Sequence, residues 1–189
     1  MQTGEVWVRQ MLVRFGAPGS WIDYELALFR EVAQLLDRST ETLFETIRDD
    51  FELADQFDYA STLEHWIGLG LAAAQVYLVS SIGEAAAQDK RRDALALPPT
   101  VSGLPVASIV NHGANLWKHA NEWDWDKPDA RRRDIQSTFA ALDILDTDML
   151  PLSSLLMKVT GQSTPVLVPL APLLEAWHDN LDATFPGTA

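Results

Sequence analysis

Cysteine is absent from this 189-residue chain, which excludes disulfides, thiolate catalysis and any zinc or iron–sulfur site built on cysteine. Cations are scarce. Fourteen Lys and Arg face 27 Asp and Glu, a formal net charge of −13, and no acidic tail gathers the excess. Such a field repels polyanions at long range and argues against sequence-independent nucleic-acid binding, although a local basic groove still acts within a Debye length. The chain also lacks HExxH, paired ExxH, DxDxDG, the P-loop, the Rossmann glycine pattern and the GxSxG elbow, so none of the chemistries those motifs serve is expected. No internal repeat or low-complexity tract is found.

Long apolar runs are few. The N-terminal one is too short and too charged for a signal peptide. Trp66–Gly83, WIGLGLAAAQVYLVSSIG, just reaches membrane-spanning length. It contains Gln75, Ser80 and Ser81 and continues into AAAQDKRRD, so a buried core helix is expected, in a cytosolic protein without membrane partners.

What is present is a globular mixture, 47% hydrophobic and 22% charged. It predicts a single domain over residues 1–189, with an N-terminal arm over 1–19 and a frayed tail over 184–189. Turn and capping signals divide the chain. Ser20, with Asp23 three residues on, predicts the start of a helix that Asp37–Arg38–Ser39 closes. A second helix is expected over Thr40–Phe51. Ser61 to Glu64 reads as a capping box opening a long helix to about Arg92, whose Gly68, Gly70, Ala72 and Ala74 let a neighbouring helix approach closely. A crossover loop follows at Pro98–Pro99. Further helices are expected over Leu104–Asp124, Asp129–Leu145, Leu152–Val159 and Leu170–Thr184, with Gly161 ending the third and PVLVP extended before the last. The expected architecture is all-α: an irregular bundle of about six helices around a long central apolar helix.

The densest chemistry lies in Val106–Trp125, VASIVNHGANLWKHANEWDW, which holds two of the four histidines, three of the seven tryptophans and three asparagines. At about 100° per residue, Asn111, Asn115, Lys118 and Glu122 share a narrow stripe, with His119 and His112 at its edge. Val106, Ile109, Val110, Ala114, Leu116, Trp117, Ala120 and Trp123 take the opposite half. Two readings stand. In one, Asn115, Lys118, His119 and Glu122 form a catalytic stripe: histidine shuttles a proton, lysine stabilises an anion, and the others orient them. In the other the stripe is a solvated face, with Lys118 and Glu122 as an i,i+4 pair worth only about 0.3–0.5 kcal/mol. His112 and His119 are two turns apart, too far to share one metal ion directly, so no metal site and no cofactor is expected. Arg131, Arg132 and Arg133 oppose the dipole of the helix they open, so they are expected to meet carboxylates or phosphate.

The segment Ala114–Trp123, ANLWKHANEW, resembles the NxxKHxxEW-type segment of bacterial proteins related to the HEPN superfamily of helical bundles. The long apolar helix before it and the TFAALDILD helix after it fit the same context, so the resemblance covers roughly residues 60–150, with its specific part in those ten residues. It implies a helical bundle that dimerises and serves in toxin–antitoxin, phage-defence or stress systems. It also implies a metal-independent endoribonuclease built on an arginine followed closely by a histidine. Only His119 maps onto that motif. No arginine precedes it at the required distance, and Lys118 is the substitute cation. On this basis His119 is the expected general base, Lys118 the phosphate stabiliser, and Asn115 and Glu122 the orienting groups. RNA, a protein partner and a second copy are the expected partners, and DNA is not. The alternative is a non-catalytic helical interaction or ligand-binding module in such a system.

Overall fold

The computed structural model describes residues 14–15, 22–85, 88–122, 130–145 and 148–185. Ser20, the Trp123–Trp125 end of the motif stretch and residues 186–189 lie outside them. Among the described residues the chain is an all-α bundle with eight α-helices and two very short antiparallel strand pairs.

The first helix, α1 (Tyr24–Asp49), is capped by Asp23, whose Oδ1 accepts from the Leu26 N–H at 2.8 Å. It runs unbroken through the expected stop at Asp37–Arg38–Ser39. The stop signal fails because Asp37 is used in tertiary structure. Its two carboxylate oxygens, buried on the inner face of α1, accept from the N–H groups of Leu167 and Val168 at 2.7 and 2.9 Å. The PVLVP segment is accordingly a turn into the last helix and not a strand. Asp50 then caps a six-residue helix, α2 (Phe51–Gln56), where a continuation of the second expected helix would have ended.

The central helix, α3 (Tyr59–Ala85), begins two residues before the Ser61–Glu64 capping box and stops short of Arg92. Glu64 does not cap α3 at all. It reaches across to α7 (Pro151–Thr160), accepting from the backbone N–H groups of Leu152 and Ser153 and from the Ser153 hydroxyl, at 2.7, 2.9 and 2.6 Å. These are two of the orphan donors that every helix start leaves. Burial raises the Glu64 pKa despite those hydrogen bonds.

Leu63, Ile67, Leu71, Ala74, Leu78 and Ile82 form the fully inward face of α3, whereas Trp66, Leu69, Val76 and Val79 remain exposed. The helix is apolar all round but buried on only part of its circumference. By length and composition it also meets the criterion for a membrane-spanning segment, with 56% of that window buried within the bundle. It packs against α1, α5, α7 and α8. The close approaches expected of its glycines are present: a Cβ on Gly68 would overlap the Trp117 indole, and one on Gly70 the Leu167 side chain.

Beyond α3, a short helix α4 (Arg91–Leu95) leads into a hairpin of β3 (Thr100–Val101) and β4 (Leu104–Pro105), paired Thr100↔Pro105 and Val101↔Leu104. Its two turn residues, Ser102 and Gly103, both have positive φ, the condition for a turn that matches strand twist. Helix α5 (Val106–His119) starts later and ends earlier than expected, passing into a 3-10 turn over Ala120–Glu122. Helix α6 (Ala130–Ala141) is also shorter than its sequence pattern. Gly161, at φ 68°, closes α7 in the left-handed conformation, and α8 (Leu170–Thr184) has the expected bounds.

A buried polar tie holds three of these elements together. The Tyr77 hydroxyl of α3 donates to Asp23 Oδ2 at 2.7 Å and lies 2.6 Å from His178 Nδ1 of α8. The α1 cap, the centre of α3 and α8 are thus fixed to one another by a single cluster.

Candidate functional site

Helices α5 and α6 present different faces to two cavities. Leu116 and Trp117 of α5 and Ala120 of the 3-10 turn, with Ile135, Gln136 and Phe139 of α6, line an apolar pocket. Asn111, His112, Asn115, Lys118 and His119 of α5, with Arg131 and Asp134 of α6, line a polar cleft of about 670 Å³. The chemistry is in the cleft.

Its base is a carboxamide network crossing from α3 to α5. Gln75 is a buried amide in an otherwise apolar stretch of α3. Its Nε2 donates to Asn111 Oδ1 at 2.8 Å and to Asn115 Oδ1 at 3.1 Å, and its Oε1 accepts from Lys118 Nζ. One side chain therefore sets the orientation of three residues on the neighbouring helix. The expected Lys118–Glu122 pair does not form. Lys118 turns to Gln75, and Glu122, fully outside on the 3-10 turn, bonds His119 Nδ1 at 2.9 Å.

Three cations reach this cleft from three elements: Arg91 at the start of α4, Lys118 on α5 and Arg131 on α6. Among the described residues none of the three forms an ion pair with a carboxylate. Lys118 is held below the usual lysine pKa by partial burial first, and then by the positive charges of Arg131 and Arg91. The three arginines that open α6 thus part company: Arg131 enters the cleft, Arg132 is buried and Arg133 is exposed.

His112 adds a second imidazole. Its Nδ1 lies 2.8 Å from Thr138 Oγ1, and the Thr138 hydroxyl donates to the Asp134 carbonyl at 3.1 Å. With its proton committed there, Thr138 accepts from His112 Nδ1–H, which leaves the imidazole lone pair on Nε2. Burial lowers the His112 pKa, only partly opposed by the Asp134 carboxylate, so the ring is neutral near pH 7.

Of the residues expected from sequence, Asn115, Lys118 and His119 come together in the cleft. Glu122 touches it only through His119. Asn115 is buried against Gln75, which makes its oxygen a structural acceptor. Gln75, Arg91, Asn111, His112, Arg131 and Asp134 were not in the expected set. Asn111 and His112 lie on the α5 stripe and at its edge but had no catalytic role assigned, and Arg131 was marked by its unfavourable place in a helix N-terminus. Nothing in the local sequence around Arg91 or Gln75 points to α5.

The cleft can hold an anion. Cations mutually raised in energy and the amide N–H groups of two asparagine side chains are suited to phosphate oxygens. No family model matches the chain, and no curated protein or solved structure matches it either.

Proposed function

We propose that this chain is a HEPN-like bacterial defence or stress protein whose polar cleft binds the phosphodiester backbone of RNA and cleaves it without a metal ion. The observation that carries the reading is the meeting of Arg91, Lys118 and Arg131 on one cleft in a chain with nearly twice as many acidic as basic residues. Such a cluster in a −13 protein opposes the global field, and a bound anion would relieve the repulsion that lowers the Lys118 pKa. The arginine that the sequence lacks just before His119 has spatial counterparts in Arg131 and Arg91.

In this reading Lys118 and the two arginines hold the non-bridging phosphate oxygens. His119, with its Nδ1–H on Glu122, takes the proton of the ribose 2′-hydroxyl at Nε2. O2′ then attacks phosphorus, the P–O5′ bond breaks, and the 5′-oxygen is protonated from solvent, leaving a cyclic phosphate and a 5′-hydroxyl. His112, neutral and with its lone pair on Nε2, is the other candidate for the base.

A second copy fits the exposed side of α3. Trp66, Leu69 and Val76 form an uncharged stripe there, and Val79 at its end also lines the cleft. A patch without charge is where two −13 chains associate with least repulsion. A two-fold dimer through it would bury the same stripe on both copies.

One observation favours the non-catalytic alternative, an anion-binding or interaction module: Asn111, Asn115 and Lys118 are all engaged by Gln75. The deciding experiment is cleavage of a mixed RNA pool with metal chelated, by wild type, His119→Ala and His112→Ala, alongside denaturant unfolding of each. The enzyme reading expects cleavage by wild type, and its loss in one histidine variant that stays folded. Absence of cleavage by folded wild type, with RNA still bound, would leave the binding module in its place.

A further inference from the structure

On the other side of α5 lies the larger cavity, about 860 Å³, between the ends of α1, α2, α3, α5 and α6. We infer that it is a binding site for a small organic cation with an apolar body, such as an alkyl- or aryl-ammonium. The volume is within the range of small-ligand sites, and spaces between the helices of a bundle are a favoured place for them.

Most of the lining is apolar or aromatic, including Trp117, Phe139, Leu116, Ala54, Ile135 and Leu152. The segment where α2 turns into α3 adds two carboxylates to the lining, Asp55 and Asp58. Both are exposed, and among the described residues neither carboxylate makes an ion pair or accepts a hydrogen bond. Among the described residues no Lys or Arg lines the cavity. An apolar body would displace water from the apolar lining, its positive group would pair with the two carboxylates, and the indole of Trp117 adds a cation–π surface. Phe51 and Met149 at the mouth are both more than half exposed, and Met149 in particular is flexible enough to fold over an occupant. Ser61, His65 and Gln136 also line the cavity, but an anionic ligand would face the two carboxylates with no Lys or Arg among the described lining to offset them. The site is separate from the polar cleft, which holds the opposite charge, so failure of one reading leaves the other standing.

The test compares octyltrimethylammonium and octanoate, which have similar chains and opposite charge, by calorimetric titration below micelle formation. The ammonium should bind at least tenfold more tightly. Asp55→Asn with Asp58→Asn changes two exposed side chains and moves the net charge only from −13 to −11, so the general field of the protein barely changes. That double variant should bring the two ligands to within about threefold of each other. Ala120→Trp, which fills the cavity from the 3-10 turn after α5, should abolish binding of both. Equal affinity for the two ligands in wild type, absence of ammonium binding, or an unchanged preference in the Asp55/Asp58 variant would each overturn the inference.

Discussion

Replacing Gln75 by leucine tests the network that organises the cleft. The substitution nearly preserves volume, so no cavity opens on α3, but it removes the donor to Asn115 Oδ1 and Asn111 Oδ1 and the acceptor for Lys118. Asn115 is only 8% exposed, so its oxygen is left without a partner in a place water reaches poorly, a loss of about 1–3 kcal/mol. Asn111 and Lys118 are more open and rehydrate, adding little. The apolar gain of leucine offsets part of this, so the expected net loss is about 1–2 kcal/mol. Urea unfolding would read it as a midpoint shift of roughly 0.5–1 M at an unchanged slope of about 1–3 kcal/mol/M. Gln75→Leu with Asn115→Leu removes both partners and should recover most of the loss, a coupling of about 1 kcal/mol. Freed from Gln75, Lys118 becomes mobile, and phosphate affinity should fall severalfold. A Gln75→Leu protein as stable as wild type, or strictly additive single and double variants, would refute the reasoning.

Three further outcomes are expected. Asp37→Ala leaves the Leu167 and Val168 N–H groups without their carboxylate and should lower unfolding stability by about 2–3 kcal/mol, whereas the exposed Glu41→Ala should change it by less than about 0.5 kcal/mol. Gly68→Ala forces a methyl into the Trp117 indole and should destabilise by about 1–3 kcal/mol; Gly83→Ala, with nothing near its Cβ, should stabilise by up to about 1 kcal/mol, both read by thermal melting. At Asp23, burial alone would raise the pKa, but hydrogen bonds from His178, Tyr77 and the Leu26 N–H outweigh it and hold the carboxyl below its ordinary value of 3.8. The unfolded chain therefore binds the proton first, the Asp23 contribution is present above 3.8 and is lost as pH falls below it, and Asp23→Asn should flatten that part of the acid stability profile.

Elements bounded by local chemistry were readable in the sequence. The α8 limits, the Gly161 stop and the all-α class follow from apolar period, left-handed glycine and the scarcity of strand patterns. The misreadings share one cause. Asp37 looked like a helix end and Glu64 like a capping-box partner, yet both are recruited to donors more than eighty residues away. A local signal carries no mark of such a tertiary use. Half of the cleft was readable for the same reason: Asn115, Lys118 and His119 lie on one stripe of one helix, whereas Gln75, Arg91 and Arg131 arrive from other elements. The all-round apolarity of α3 also overstated its burial, because composition does not say which face the neighbours cover.

The most direct test of the cleft as a phosphate site is calorimetric titration of a short, uncleavable 2′-O-methyl RNA over a range of salt concentrations. Wild type should bind with a slope of log K against log salt near about −2, as expected for roughly three neutralised phosphates on a single strand. Arg91→Met, Lys118→Met and Arg131→Met should each shallow that slope by about 0.7, and the triple variant should bind too weakly to measure while remaining folded. A triple variant that binds with the affinity and salt slope of wild type would contradict the assignment.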